Sequence, residues 1–276
     1  MGYSILDHII YFKEESMKKV LALLLSAAMV LSMAGCGGGK DARTIYDEAS
    51  KKTSELKDMD LTTNVAMTMS QGDQTIDVTT AMDIQMTGVN TEDMRYLATG
   101  KTSMAGQDID MSMYYEGGYY YMETMGQKIK YAMDLNQLME QVKQSTEGAN
   151  MESSYMKEIT AKKDGENQRL TFTADAEKMD AYVQDIMSSM GTAAAGMEGV
   201  TYKIKEASGE AVVNKDGYFS SMKIKMLMDM EVQGETISID MDTDAVYRNP
   251  GQVVTLAAPS LDGYQEVDPA AMGVQQ

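Results

Sequence analysis

From Val65 onward, apolar residues recur at every second position. Val65, Met67 and Met69 alternate with polar neighbours, as do Ile76 and Val78, and then Met82, Ile84 and Met86. A period of two is that of a strand with one face in a core and the other in water. Gly72-Asp73 between the first two runs suits a hairpin turn. Further strands are expected over Met94–Met104, over Ile109–Tyr115, and, after Gly117-Gly118, over Tyr119–Tyr121 and Gln127–Met133. Ile159–Lys163 and Arg169–Thr173 make a hairpin across Asp164-Gly165. Three long strands follow over Val200–Val213, Tyr218–Val232 and Thr236–Tyr247, with a short last one near Val253–Leu256.

The period changes to that of a helix in three places. Asp41–Lys57 carries Ile45, Ala49 and Leu56 near one face. Leu135–Ser145 carries Leu135, Leu138, Met139 and Val142, and Glu177–Met190 carries Met179, Tyr182, Val183, Ile186 and Met190. Gly191–Gly199 reads as a flexible loop. The chain has only three prolines and no Gly-Ser linker, so one α+β domain over 41–264 is expected, with 265–276 as a flexible tail. Hairpin-connected strands with this alternation make a mostly antiparallel sheet with one apolar and one wet face. Few helices are on hand to cover so broad an apolar face. The sheet must therefore curl around them, close on itself, or leave a cavity.

Composition sharpens this picture. The chain holds 29 methionines, many standing where Val or Ile would normally alternate: Met67, Met69, Met82, Met86, Met111, Met113, Met226, Met228 and Met230. Methionine is a weaker strand former, but it repacks around varied apolar shapes. These nine are the candidate contacts for a hydrophobic ligand. The plainer account of each is a core that fills itself with methionine.

The acidic balance is strong, 42 Asp and Glu against 24 Lys and Arg, a formal net charge of −18. Such a surface repels phosphate backbones, so nucleic acid is a poor partner. The one histidine is His8 and the one cysteine is Cys36. Downstream of Cys36 there is thus no imidazole and no free thiol, which removes Ser-His-Asp and Cys-His catalysis, the usual zinc sites and disulfides. No cofactor or metal is called for and no enzyme is expected. Asp240, Asp242 and Asp244 spell the start of a calcium loop, but Ala245 and Gly251 stand where that loop needs Gly and Glu. Alternation with Ile239, Met241 and Thr243 reads instead as the outward face of a strand. Tyr114, Tyr115, Tyr119, Tyr120 and Tyr121 could stack on a ligand, though strand pairing accounts for them.

The N-terminal segment has its own logic. Lys18 and Lys19 precede an apolar run from Val20 to Leu31, and small residues lead to Cys36. This is a secretory signal peptide over 1–35, too short for a comfortable transmembrane helix. Met17 reads as the natural start. Met33-Ala34-Gly35-Cys36 resembles the bacterial lipobox, with Met33 in place of the usual leucine. The resemblance implies cleavage after Gly35, a diacylglyceryl group on the Cys36 sulfur with palmitate-type acyl chains, and an address on the outer face of the cytoplasmic membrane. Gly37-Gly38-Gly39 then gives a short leash within 36–40.

The element order, together with Tyr114-Tyr115-Glu116-Gly117-Gly118-Tyr119-Tyr120-Tyr121 and Gly126-Gln127-Lys128-Ile129-Lys130-Tyr131, resembles the LolA/LppX-like lipoprotein carriers and uncharacterised Gram-positive surface lipoproteins of that type. The resemblance implies a half-barrel sheet with helices covering or plugging its concave face, which binds or carries a lipid or other apolar molecule. The alternative is a non-enzymatic interaction module with a filled core, partnered by an envelope protein. A substrate-binding lipoprotein of an importer would be built from parallel α/β lobes, which the hairpins oppose.

Overall fold

The computed structural model describes residues 40–89, 91–104, 106–136, 139, 152–180, 183, 201–232 and 234–268. Helix α1 (Ala42–Ser54) is followed by β1 (Met59–Gln71), β2 (Gln74–Thr87), β3 (Arg95–Met104), β4 (Gln107–Glu116), β5 (Tyr119–Thr124) and β6 (Gln127–Ala132). A 3-10 turn at Ser153–Tyr155 leads to β7 (Met156–Asp164), β8 (Asn167–Ala174), β9 (Thr201–Val213), β10 (Phe219–Val232), β11 (Glu235–Tyr247) and β12 (Gln265–Glu266). All twelve strands join one sheet in the order β12-β6-β5-β4-β3-β2-β1-β11-β10-β9-β8-β7. Every pairing is antiparallel except β12 on β6. The first and last groups of strands meet in the middle, where β1 pairs with β11. The sheet is open and curved, one of the outcomes the alternation left open, and among the described residues helix is scarce beside it.

The hairpins close where glycine was expected to close them. At Gly117-Gly118 both residues take positive φ, 59° and 82°, the backbone of a two-residue turn whose twist matches the flanking strands. The edges are blunted. On one side β7 carries Lys157, Lys162 and Lys163 along an outer strand, and charge there discourages pairing with another chain. On the other side the two-residue β12 lies along β6.

Helix α1 starts because the Asp41 carboxylate accepts hydrogen bonds from the backbone N–H groups of Arg43 and Thr44 at 3.0 and 3.1 Å. It buries Tyr46, Ala49 and Thr53, a 3–4 spacing that forms one stripe. Ile45 sits beside that stripe rather than on it, and Leu56 is buried just past the helix end. The Tyr46 ring meets Phe219 at 5.2 Å and Phe172 edge-on at 5.8 Å. The Phe219 N–H donates to the Thr53 hydroxyl at 3.0 Å. The helix thereby seats on β8, β9 and β10 and caps a core of Leu170, Phe172, Ile204, Ala211 and Met222.

Two expectations need correction. No strand forms over 253–256. There the Val254 N–H donates to the Asp58 carboxylate at 3.1 Å, so a side chain has taken the place of a strand neighbour, and Leu256 buries itself without a ladder. The chain then runs on to β12, so 265–268, read as the start of a tail, holds a parallel pairing with β6. The Val267 N–H adds a bond to the Lys130 carbonyl at 2.9 Å. Of the two later helices, 135–136, 139, 176–180 and 183 are helical. Their remainders, the signal peptide, Cys36 and its leash, and 269–276 lie outside the described residues.

Candidate functional site: the methionine face of the sheet

Cross-strand register decides which side chains share a face. Met226 stands opposite Met241, which stands opposite Met67, itself opposite Val78, then Met104. One row toward the β1–β2 turn, Met228, Ile239, Met69 and Ile76 follow one another. Met230 lies beyond, between Tyr202 and Ile237. On the other side, Met82 faces Gly100 and then Met111, and Ile84, Ala98, Met113 and Met122 form the next row. Met86, Tyr96, Tyr115, Tyr120 and Tyr131 complete the series. All nine methionines named from the sequence therefore occupy one face. Met59, Met104, Met122, Met222 and Met241 belong with them. The signal that could have added them was the same parity, visible once strand pairing is known.

The face is not uniform. At its α1 end, Met222 is buried, with Met226 and Met228 packed around that core. At its far end, Met86 is buried in a second core with Met94, Tyr115, Tyr120, Tyr131 and Met133, against which Met113, Met122 and Leu135 pack. Beside and between the two cores lie Val65, Met67, Met69, Val78, Met111, Met230 and Met241, all half-buried and, among the described residues, belonging to neither. Met82 and Ile239 are more deeply set, each 9 % exposed. A belt of Thr243, Thr80 and Thr102 crosses this stretch at the level of Val65. The central strip thus offers polarizable thioethers and branched chains over several neighbouring strands, with hydroxyls at one level.

The tyrosines divide by alternation. Tyr115 and Tyr120 join Tyr96 and Tyr131 on the methionine face, Tyr120 meeting Tyr131 at 5.5 Å. Burial pushes the Tyr96 phenol up to about 12 and raises Tyr115, Tyr120, Tyr131 and Tyr247 as well. These phenols are neutral at physiological pH and add mostly apolar surface. Tyr114, Tyr119 and Tyr121 take the opposite face, where Tyr264 stacks edge-on against Tyr121 at 5.3 Å and fastens the chain before β12.

That opposite face is charged. Asp240, Asp242 and Asp244 alternate outward along β11 as expected. Asp242 pairs with Lys225 at 3.1 Å and Asp244 with Lys223 at 3.3 Å. Among the described residues no cluster of acidic, histidine or cysteine side chains could hold a metal ion. Arg248 ties β1 to β2, reaching Asp60 and Asp83 at 2.8 Å each and the Thr62 hydroxyl at 2.7 Å. Its guanidinium, with the Thr62 hydroxyl, holds the Asp83 carboxyl below its usual range. A hollow of about 440 Å³ opens on this charged face above Ala66 and Ala81, between Lys101 and the Lys223 and Lys225 ion pairs. A second, of about 570 Å³, lies by the turn ends of β3 to β6 and touches Met111 and Met125.

Solved structures with a similar chain course include LprF from Mycobacterium bovis, 12 % identical with a TM-score of 0.41, covering 80 % of this chain and 100 % of its own. LppX, a lipoprotein of Mycobacterium tuberculosis, is 10 % identical with a TM-score of 0.35, covering 72 % of this chain and 92 % of its own. No curated protein matches the sequence. A family model matches residues 41–260, from the N-cap of α1 to just past β11, and on that match the chain belongs to DUF6612, a family of unknown function.

Proposed function

We propose that this is a non-catalytic binding protein, anchored through Cys36 to the outer face of the cytoplasmic membrane, which holds a lipid or other apolar molecule against the methionine face. The observation that carries this reading is the half-buried strip between the two cores. Seven apolar side chains there, on β4, β2, β1, β11 and β10, belong to neither packed cluster of the described residues. A methionine-rich surface is suited to such a ligand because each side chain can change rotamer around a varied shape. In this reading the sheet is a half-barrel with the methionines inside, and the anchor keeps the domain beside the bilayer that supplies its ligand.

The rival is an interaction module whose face is simply filled. It is favoured by Met86 and Met222, which are core residues, and by the 440 Å³ hollow lying on the charged face instead.

The deciding experiment uses the chain from Gly37 onward, purified without detergent and extracted with organic solvent, with the extract identified by mass spectrometry beside a non-binding control domain. The proposal expects a near-stoichiometric apolar molecule that the control lacks. An empty protein that also takes up no added fatty acid, phospholipid or apolar dye supports the filled module. Met67→Glu and Met241→Glu each place an unpaired charge in the strip. Each is expected to cut the bound ligand by about tenfold, roughly 1.4 kcal/mol, with the β-sheet circular dichroism unchanged.

A further inference from the structure

The sheet has two ends. One carries the turns at 72–73, 106, 125–126 and 234, and the methionine face continues apolar up to it. Ile76, 47 % exposed, stands opposite Met69, and Met104, 48 % exposed, stands opposite Val78. In the β5–β6 turn of the same end, Met125 is 78 % exposed and holds φ of 51°, although it is not glycine. A left-handed methionine with its side chain in water is strained and poorly solvated, and such strain concentrates at sites with a task. Of the other exposed large apolar residues described, Val246 lies just before the end of β11, at the opposite end of the sheet, and Val253 and Leu261 lie in the segment that leads from β11 to β12. Val246 there points to the charged face.

The direction of α1 relates this rim to the anchor. At the N-terminal end of the helix, the Arg43 guanidinium donates to the carbonyls of Ser153 and, at 3.1 Å, Met156. Met156 is level with the middle of β10, through Ala174 on β8 and the pairing of Ser208 with Lys225. At the other end Thr53 meets Phe219, where β10 begins. Helix α1 therefore runs opposite to β10, and its N-terminus points toward the rim where β10 ends. From Met226 to Val232 β10 covers about 20 Å, at about 3.3 Å per residue. The step from Cys36 to Asp41 reaches at most about 18 Å when extended. Asp41 stands about 3 Å nearer the rim than Arg43, two residues back along the helix at about 1.5 Å each, so an anchor at Cys36 and the rim can reach one plane.

Resting on the anchoring proposed above, we infer that this rim faces the bilayer and is the portal through which an apolar ligand passes between the membrane and the methionine face without crossing water. The occupant of the rim is the lipid surface itself. With a formal net charge of −18, the approach is not electrostatic. It rests on the anchor and on apolar contact, so it holds on zwitterionic lipid and changes little with salt.

The test uses the full chain, lipidated in a bacterial host and reconstituted into phosphatidylcholine vesicles. Cys36 is the only cysteine, so one introduced cysteine is the only free thiol. An environment-sensitive fluorophore is placed at Met104→Cys, at Met125→Cys, at Lys215→Cys in the turn at the opposite end, and at Lys162→Cys on the β7 edge. Quenching by brominated lipid of about twofold or more is expected at 104 and 125, as for a group roughly 5–10 Å into the interface, and none at 215 and 162. Quenching at 215 or 162 but not at the rim overturns the inference, as does none at all four positions. The mass of the N-terminal peptide, read first, separates the two failures. A chain without lipid on Cys36 sinks the anchoring and the portal together. A lipidated chain with an unquenched rim sinks the portal alone. Met125→Glu, in the β5–β6 turn and outside the methionine face, further distinguishes a portal from a mere contact: it must slow ligand uptake from vesicles by about tenfold while the ligand bound at equilibrium is unchanged, whereas an unchanged rate overturns the portal.

Discussion

Phe219 lies where three kinds of contact meet. Its ring is fully buried against Tyr46, its N–H is satisfied by Thr53, and it opens β10. Phe219→Ala leaves a cavity under the helix and is expected to cost about 3–5 kcal/mol, read from urea unfolding. Gly209 offers a sharper test of close packing. A Cβ there would stand 2.3 Å from Phe172 Cζ and 2.6 Å from the Lys223 carbonyl oxygen. Gly209→Ala should therefore destabilise by about 1–3 kcal/mol although it adds only a methyl group. Tyr96 carries a pH signature. Its phenol is raised from 10.0 to about 12 by burial, so its contribution to stability is whole below pH 10 and is lost as pH rises toward 12. Unfolding midpoints measured from pH 8 to 12 should fall over that window, and less steeply in Tyr96→Phe. An identical slope in the variant would remove Tyr96 as the cause.

At the scale of elements, the joints between strands and helix are polar groups placed at strand ends. Thr53→Val keeps the shape of α1 but leaves the buried Phe219 N–H without an acceptor, an expected loss of about 1–3 kcal/mol. Arg248 performs a similar task after β11, joining β1 and β2 through Asp60 and Asp83. Asp83 is held below 3.8, first by Arg248 and then by Thr62. A depressed carboxyl stabilises above its unfolded value and loses that contribution as pH falls through the folded one. Stability should thus decline below about pH 4, and Arg248→Gln should remove part of that decline. Both partners are well exposed, so the effect at neutral pH is small, within about 1 kcal/mol.

For the whole molecule, one consequence follows from two cores on opposite sides of one face. The α1 core draws on β7 to β10, and the tyrosine core on β2 to β6. The central strands β1 and β11 connect them through the half-buried strip. An apolar ligand in that strip would contact strands from both halves and should raise the melting temperature by mass action. A ligand-stripped protein is expected to melt lower than one purified with its ligand, and to recover when an apolar molecule is returned. Equal melting before and after stripping would favour the filled module.

Strand after strand was legible along the chain, β9, β10 and β11 to within about a residue at most ends, because a half-buried strand must alternate and its turns need glycine. The outward aspartates of β11 and the shared parity of the nine methionines were legible for the same reason. The buried side of α1 was legible in Ala49 and in Leu56 just past the helix, but not in Tyr46 and Thr53, which are chosen by partners on β8 and β10 that a helical period cannot name. The strand near Val253 was lost to a side-chain acceptor, Asp58, almost two hundred residues away in sequence. Local pattern decides which face a residue takes within its own strand. Pairing between distant strands decides the rest: β1 beside β11 sets Met67 against Met241, and the two cores leave the strip between them. Sequence period carries no information about which strands meet, so the chain by itself determined an apolar face, and only the tertiary structure decided which part of that face its two cores bury.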